Sequence, residues 1–159
     1  GKHLFNPTNL AIVILLLITD SVWVSPSQWG HTTLAALALG CLGTVVTSRA
    51  KRADITFGFL ASYAAILCTR ALWLDDPMTL PWHAMQSGAL LIFVFFMISD
   101  PKSTPDSRAG RLLFAFSTAL TAAYFQFCWY ESNALMYALA CNALLVPAID
   151  HILPAERFR

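Results

Sequence analysis

Six apolar runs, near residues 7–24, 32–48, 55–74, 83–99, 112–130 and 133–152, fill most of this 159-residue chain. A bilayer core of about 30 Å takes roughly 20 apolar residues in a helix. The runs are apolar on every side, so they do not read as amphipathic surface helices. Charged residues make up 12% of the chain and hydrophobic ones 57%, with a mean hydropathy of +0.61. A soluble domain carries about 25% charge. Too little polar surface remains to face water. The expectation is an all-α, polytopic membrane protein: one transmembrane helical domain over 1–159, with about six spans and lipid around it. Short links between the runs favour antiparallel neighbours in a bundle.

Charge gives the bundle two different ends. If the spans alternate, Lys2, Arg49, Lys51, Arg52, Lys102, Arg108, Arg111, Arg157 and Arg159 share one end, and only Arg70 lies near the other. Basic links stay on the cytoplasmic side, so both termini are expected there. Trp23, Trp29, Trp73, Trp82 and Trp129 all fall toward the opposite end, where indole rings suit a membrane interface. The chain begins Gly1-Lys2-His3 and shows no secretory-signal pattern.

The longest polar segment, 98–111, carries two prolines, two carboxylates and three basic residues. It reads as a structured turn at the basic end, with Asp100 and Asp106 capping helices or pairing with Arg108 and Arg111. Asn6 and Pro7 read as the cap and first-turn proline of the first helix. Within the spans, ionisable groups are costly and point to function. Asp20, Arg70 and Gln86 are the intramembrane polar candidates, with Asp20 open to a proton or cation role and Arg70 to pairing with Asp20 or Asp75. Gln86, Gln126, Asn142 and Asn9 are expected to be buried amides. Gly40 and Gly43 on the second helix, Gly58 on the third and Gly88 on the fourth are expected to allow close helix approach. Pro147 should kink the last helix and free a carbonyl near Ala143. Cys41, Cys68, Cys128 and Cys141 lie in apolar runs without CxxC spacing and read as small packing residues.

Histidine spacing supports no metal site, and no phosphate loop, nucleophile elbow or zinc pattern occurs. No basic-aromatic surface suggests nucleic acid. No catalytic residue can be named, and any chemistry would come from a cofactor or partner subunit.

Three stretches carry a family likeness. They are Phe5-Asn6-Pro7; Ser99-Asp100-Pro101 followed by Arg108-Ala109-Gly110-Arg111; and Asn142-Ala143-Leu144-Leu145-Val146-Pro147-Ala148-Ile149-Asp150. Together they resemble the C-terminal part of the NqrB/RnfD family, the membrane subunits of sodium-pumping NADH–quinone reductase and of the Rnf complex. The resemblance implies a multi-pass protein of the bacterial inner membrane that works with other membrane subunits of an ion-translocating oxidoreductase, and not alone as an enzyme. It also implies flavin, as FMN or riboflavin, with FMN joined to threonine in a Ser-Gly-Ala-Thr-like motif. Here Ser87-Gly88-Ala89 is followed by Leu90, which leaves Thr32 or Thr33 as the substitute hydroxyls.

Three functions follow: an electron-transfer subunit, a flavin-free accessory subunit of a redox or photosynthetic assembly, and a small-solute channel or carrier.

Overall fold

In the computed structural model, residues 2–19, 21–22, 24 and 33–156 are described, with 33–37 described by backbone alone. Among these residues the chain is helical and contains no strand. The helices are α1 (Pro7–Ile18), α2 (Thr33–Arg49), α3 (Ala53–Leu74), α4 (Thr79–Met85), α5 (Gly88–Ile92), a π-helix (Phe93–Met97), α6 (Arg108–Cys128), α7 (Ala134–Ala143) and α8 (Val146–Ile152).

Several spans are shorter or more broken than the hydropathy suggested. The first helix ends at Ile18 rather than near 24, because Thr19 turns extended. The fourth run divides into α4, α5 and the π-helix, with a 48° bend between α4 and the rest. The last run also bends by 48°, between α7 and α8. Pro147 lies in the first turn of α8, so it starts a new helix instead of kinking a continuous one. Among the described helices, α3 is long and apolar enough to cross a membrane, and each bent pair could form one further span. At 22 residues, α3 reaches about 33 Å.

The core lies where α3 packs on α6 and α6 packs on α7, with α1 against α7 and α2 against the π-helix. Phe59, Phe93 and Phe114 are its largest fully buried side chains. The Phe59 ring lies 5.6 Å from Tyr63, nearly parallel, and 5.2 Å from Phe93 at a tilt. Apart from Phe114, the buried face of α6 is made of small residues, among them Ala115, Thr118, Ala119 and Ala122, which let α3 and α7 approach closely. On α2 the close approach is at Gly43. A Cβ added there would stand 2.8 Å or less from Phe95. Gly40 meets nothing within 4 Å, contrary to expectation.

The π-helix is tied in from two sides. Ile98 N–H donates to Phe93 O, closing the wide turn. Thr56 of α3 donates its hydroxyl to Val94 O at 3.3 Å, and Asn6 Nδ2 donates to Met97 O at 3.3 Å. Asn6 is the expected cap of α1, accepting from Thr8 and Asn9 N–H.

Three helix ends use left-handed residues that are not glycine: Lys51 (φ 54°), Asp75 (φ 57°) and Tyr130 (φ 55°). After α2, Arg52 N–H donates to Thr47 O and Lys51 N–H to Ser48 O. This hydrogen-bond pair ordinarily places glycine where Lys51 stands.

Candidate functional site at the basic end

The tight turn after α2 delivers Arg52, 3% exposed, into the 98–107 segment. Its Nη1 donates to Pro105 O at 2.8 Å and its Nη2 to Pro101 O at 3.2 Å. Burial, and then the neighbouring Arg111 guanidinium, lower the Arg52 pKa from its ordinary value, while Asp106, Asp54 and Asp100 pull the other way. Guanidinium nevertheless stays protonated in proteins. The cost of burying it is therefore offset by carbonyl hydrogen bonds, not by losing its charge.

Asp100 folds the segment on itself. Its carboxylate accepts from Lys102 N–H at 3.1 Å and Ser103 Oγ at 2.9 Å, and its carbonyl accepts from Thr104 Oγ1. Ser107 then caps α6 through Gly110 N–H. Gly110 is fixed there by its neighbours, since an added Cβ would meet Ile149 Cγ2 at 2.8 Å.

Ion pairs close the knot. Arg111 Nε donates to both oxygens of Asp54 at 2.9 and 2.8 Å, its Nη2 also meets Asp54, and its Nη1 donates to Asp106 O. Lys2 pairs with Asp150 and, at 3.1 Å, with Asp106. His3 N–H donates to Lys102 O. The N-terminal residues, the α2–α3 link, the 98–107 segment and α8 therefore share one end. The pairing itself differs from expectation. Arg111 takes Asp54, the Asp106 carboxylate takes Lys2, and Arg108 is exposed. In the sequence, the only signal for Asp54 and Lys2 as partners in this knot is charge beside a helix end.

A cavity of about 480 Å³ opens at this end, lined by Lys2, His3, Leu4, Val146, Pro147, Asp150 and His151. Deeper in, Asn9 donates to Met136 O at 3.2 Å, while its buried Oδ1 has no protein partner. Phe5 is half-buried, and Pro7 and Pro147 are exposed. Asn142 is buried, donating to Thr121 Oγ1 and Ala138 O just before the α7–α8 break.

The intramembrane candidates do not form one site. Asp20 and Thr32 lie outside the described residues, as do Trp23, Trp29, Arg157 and Arg159, and only the backbone of Thr33 is described. Gln86 is exposed at the α4–α5 break, not buried. Arg70 pairs with Asp76 at 3.2 Å, rather than with Asp75, and lies 4.2 Å over the Phe127 ring. That contact brings the ends of α3 and α6 together, beside exposed Trp73, Trp129 and Tyr130. An apolar groove of about 740 Å³ runs from Arg70 along Ser62, Ala65 and Ile66 to Phe116. Cys41, Cys128 and Cys141 are exposed on their helices rather than packed inside.

Among the described residues, no group of three or more His, Cys, Asp or Glu is placed to hold a metal. At 87–90 the chain does not fit an attached flavin, because Leu90 has no hydroxyl and is 2% exposed.

The model of the NQR2, RnfD, RnfE family matches residues 13–159. The chain belongs to this family. Similar relatives in the NQR2, RnfD, RnfE family are proteins named as subunits of the ion-translocating oxidoreductase complex, from Escherichia coli O9:H4 (strain HS), Escherichia coli (strain K12 / DH10B) and Shigella boydii serotype 18 (strain CDC 3083-94 / BS512). Each is 32% identical over 126 residues, which is 77% of this chain and 34% of the relative. The chain thus spans about a third of the length of the curated relatives it matches. Membership agrees with the all-helical, apolar bundle of a membrane protein.

Proposed function

We propose that this chain works as a multi-pass subunit of an ion-translocating electron-transfer complex, with its basic end in the bacterial cytoplasm. The observation that carries this reading is the family match over residues 13–159. The relatives' naming as subunits of an ion-translocating oxidoreductase complex gives the direction. The orientation rests on Arg49, Lys51, Arg52, Lys102, Arg108 and Arg111 sharing one end, because basic links are retained on the cytoplasmic side.

In this role the knot keeps the helix ends in register for partner subunits in the same membrane. The exposed faces, including Leu42 and Val45 on α2 and Leu72 on α3, meet lipid or those subunits. The flavin-free form of the role is favoured by Leu90. The flavin-carrying form would use Thr32 or Thr33.

The test is purification from native membranes in mild detergent through a tag on this chain. Stoichiometric co-purification of redox-active subunits supports the reading. A chain recovered alone that moves small solutes across vesicle membranes overturns it in favour of a carrier. Flavin absorbance that survives acid denaturation and disappears in Thr32→Ala or Thr33→Ala selects the flavin-carrying form.

A further inference from the structure

The knot takes up Asp54, Asp100, Asp106 and Asp150 at the basic end, leaving exposed Glu156 beyond α8 and several cations over. Asp54 is taken by Arg111, and Asp106 and Asp150 by Lys2. Asp100 is occupied within its own turn. Arg49, Lys51, Lys102 and Arg108 are exposed, and none forms an ion pair with another described residue. Arg52 holds their two links together through Pro101 O and Pro105 O. The four charges therefore stand on adjoining connections at one level of the bundle.

Their neighbours say what kind of anion they face. Arg49 is four residues beyond Val45, which is 57% exposed, on the same face of α2. Arg108 is four residues before Leu112, which is 43% exposed, on the same face of α6. Each arginine sits where an exposed apolar stripe ends. A molecule with an acyl chain against Val45 or Leu112 would carry its phosphate to the guanidinium. A soluble acidic protein would meet the charges but not the stripes below them.

Lys51 adds an independent sign. It occupies a left-handed position that glycine would fill without strain. It is exposed, so packing does not explain a lysine there. A charged side chain at a strained position is the pattern expected where the charge itself is used.

We propose that Arg49, Lys51, Lys102 and Arg108 form a rim that binds the headgroups of anionic phospholipids, with the acyl chains lying along α2 and α6. The inference is independent of the electron-transfer role, since it needs only that the chain lies in a bilayer.

The test uses the full chain, extracted from vesicles of phosphatidylcholine and phosphatidylglycerol at 7:3, with retained lipid measured by native mass spectrometry. The native chain retains phosphatidylglycerol enriched about tenfold over the input ratio. Removing one cation lowers the enrichment about fivefold, in line with the attraction of a single basic residue to an anionic surface. The variant R49Q/K102Q/R108Q retains lipid at the input ratio. Lys51→Gly lowers enrichment while raising the thermal midpoint, because it removes charge and strain together. A general loss of structure cannot produce that opposite pair of changes, so this variant decides the matter if the triple variant fails to fold. Retention at the input ratio by the native chain overturns the proposal. So do unchanged enrichment in Lys51→Gly and unchanged enrichment accompanied by loss of an acidic protein in pull-downs, the last of which would make the rim a protein contact.

Discussion

Replacing Asp54 with asparagine tests the knot at its most closely coupled pair. Asp54 and Arg111 side chains are 15% and 14% exposed, and the contact is bidentate. Asparagine keeps the size of the side chain and removes its charge. Arg111 would then keep the Asp106 carbonyl but lose its counter-ion, beside an Arg52 already disfavoured by the Arg111 charge. Removing one partner of a fully buried pair costs about 3–5 kcal/mol. The remaining solvent access reduces this to about 2–4 kcal/mol. For a chain of this size the thermal midpoint should fall by about 5–15 °C. The assay is thermal unfolding in detergent micelles, followed by circular dichroism, for Asp54→Asn, Arg111→Met and the double variant. The double variant should recover much of the loss, with a coupling energy of at least about 1.5 kcal/mol. A coupling below about 0.5 kcal/mol would refute the reasoning, because it would mean that water screens the pair.

Gly43→Ala should lower stability by about 1–3 kcal/mol, since the new methyl meets the buried Phe95 side chain. Phe95→Leu in the same chain should restore part of that loss in micelle unfolding, and a Gly43→Ala variant as stable as the native chain would contradict the packing. Asp100→Ala should cost about 1–2 kcal/mol by orphaning the Lys102 N–H and Ser103 hydroxyl, whereas Lys102→Ala should cost under about 0.5 kcal/mol. Equal midpoints for those two variants would sink the ranking. Tyr130→Gly should stabilise the chain by about 1 kcal/mol in micelles, because Tyr130 is 86% exposed and held left-handed.

Amino-acid order alone exposed the helical class and the Asn6 cap, because each depends on local composition. It did not expose which faces meet. α2 and α3 are apolar all round, so Gly40 and Gly43 look alike until Phe95 is known to lie beside only one of them. Nor could it pair Arg111 with Asp54, 57 positions away, or Lys2 with Asp150, 148 positions away. Local reading offered Arg111 only the nearby Asp100 and Asp106 as partners, and left helix capping open for both carboxylates. The break at Gln86–Ser87 was hidden, since a bent apolar span and a straight one have the same hydropathy, whereas Pro147 signalled the bend in the last run. The flavin anchor stayed open because its two candidates, Thr32 and Thr33, fall where neither side chain is described.

The wide turn at Phe93–Met97 works as a phase shifter. It holds one more residue than an ordinary turn, and each residue of a helix accounts for about 100° of rotation. Deleting one residue there would restore regular winding but swing everything downstream by about that angle. Met97 O would turn away from Asn6, and Pro101 O and Pro105 O away from Arg52. The spacing between the fourth apolar run and the polar turn after it is therefore geared to two other helices, and a one-residue change in length should be felt at the far side of the bundle.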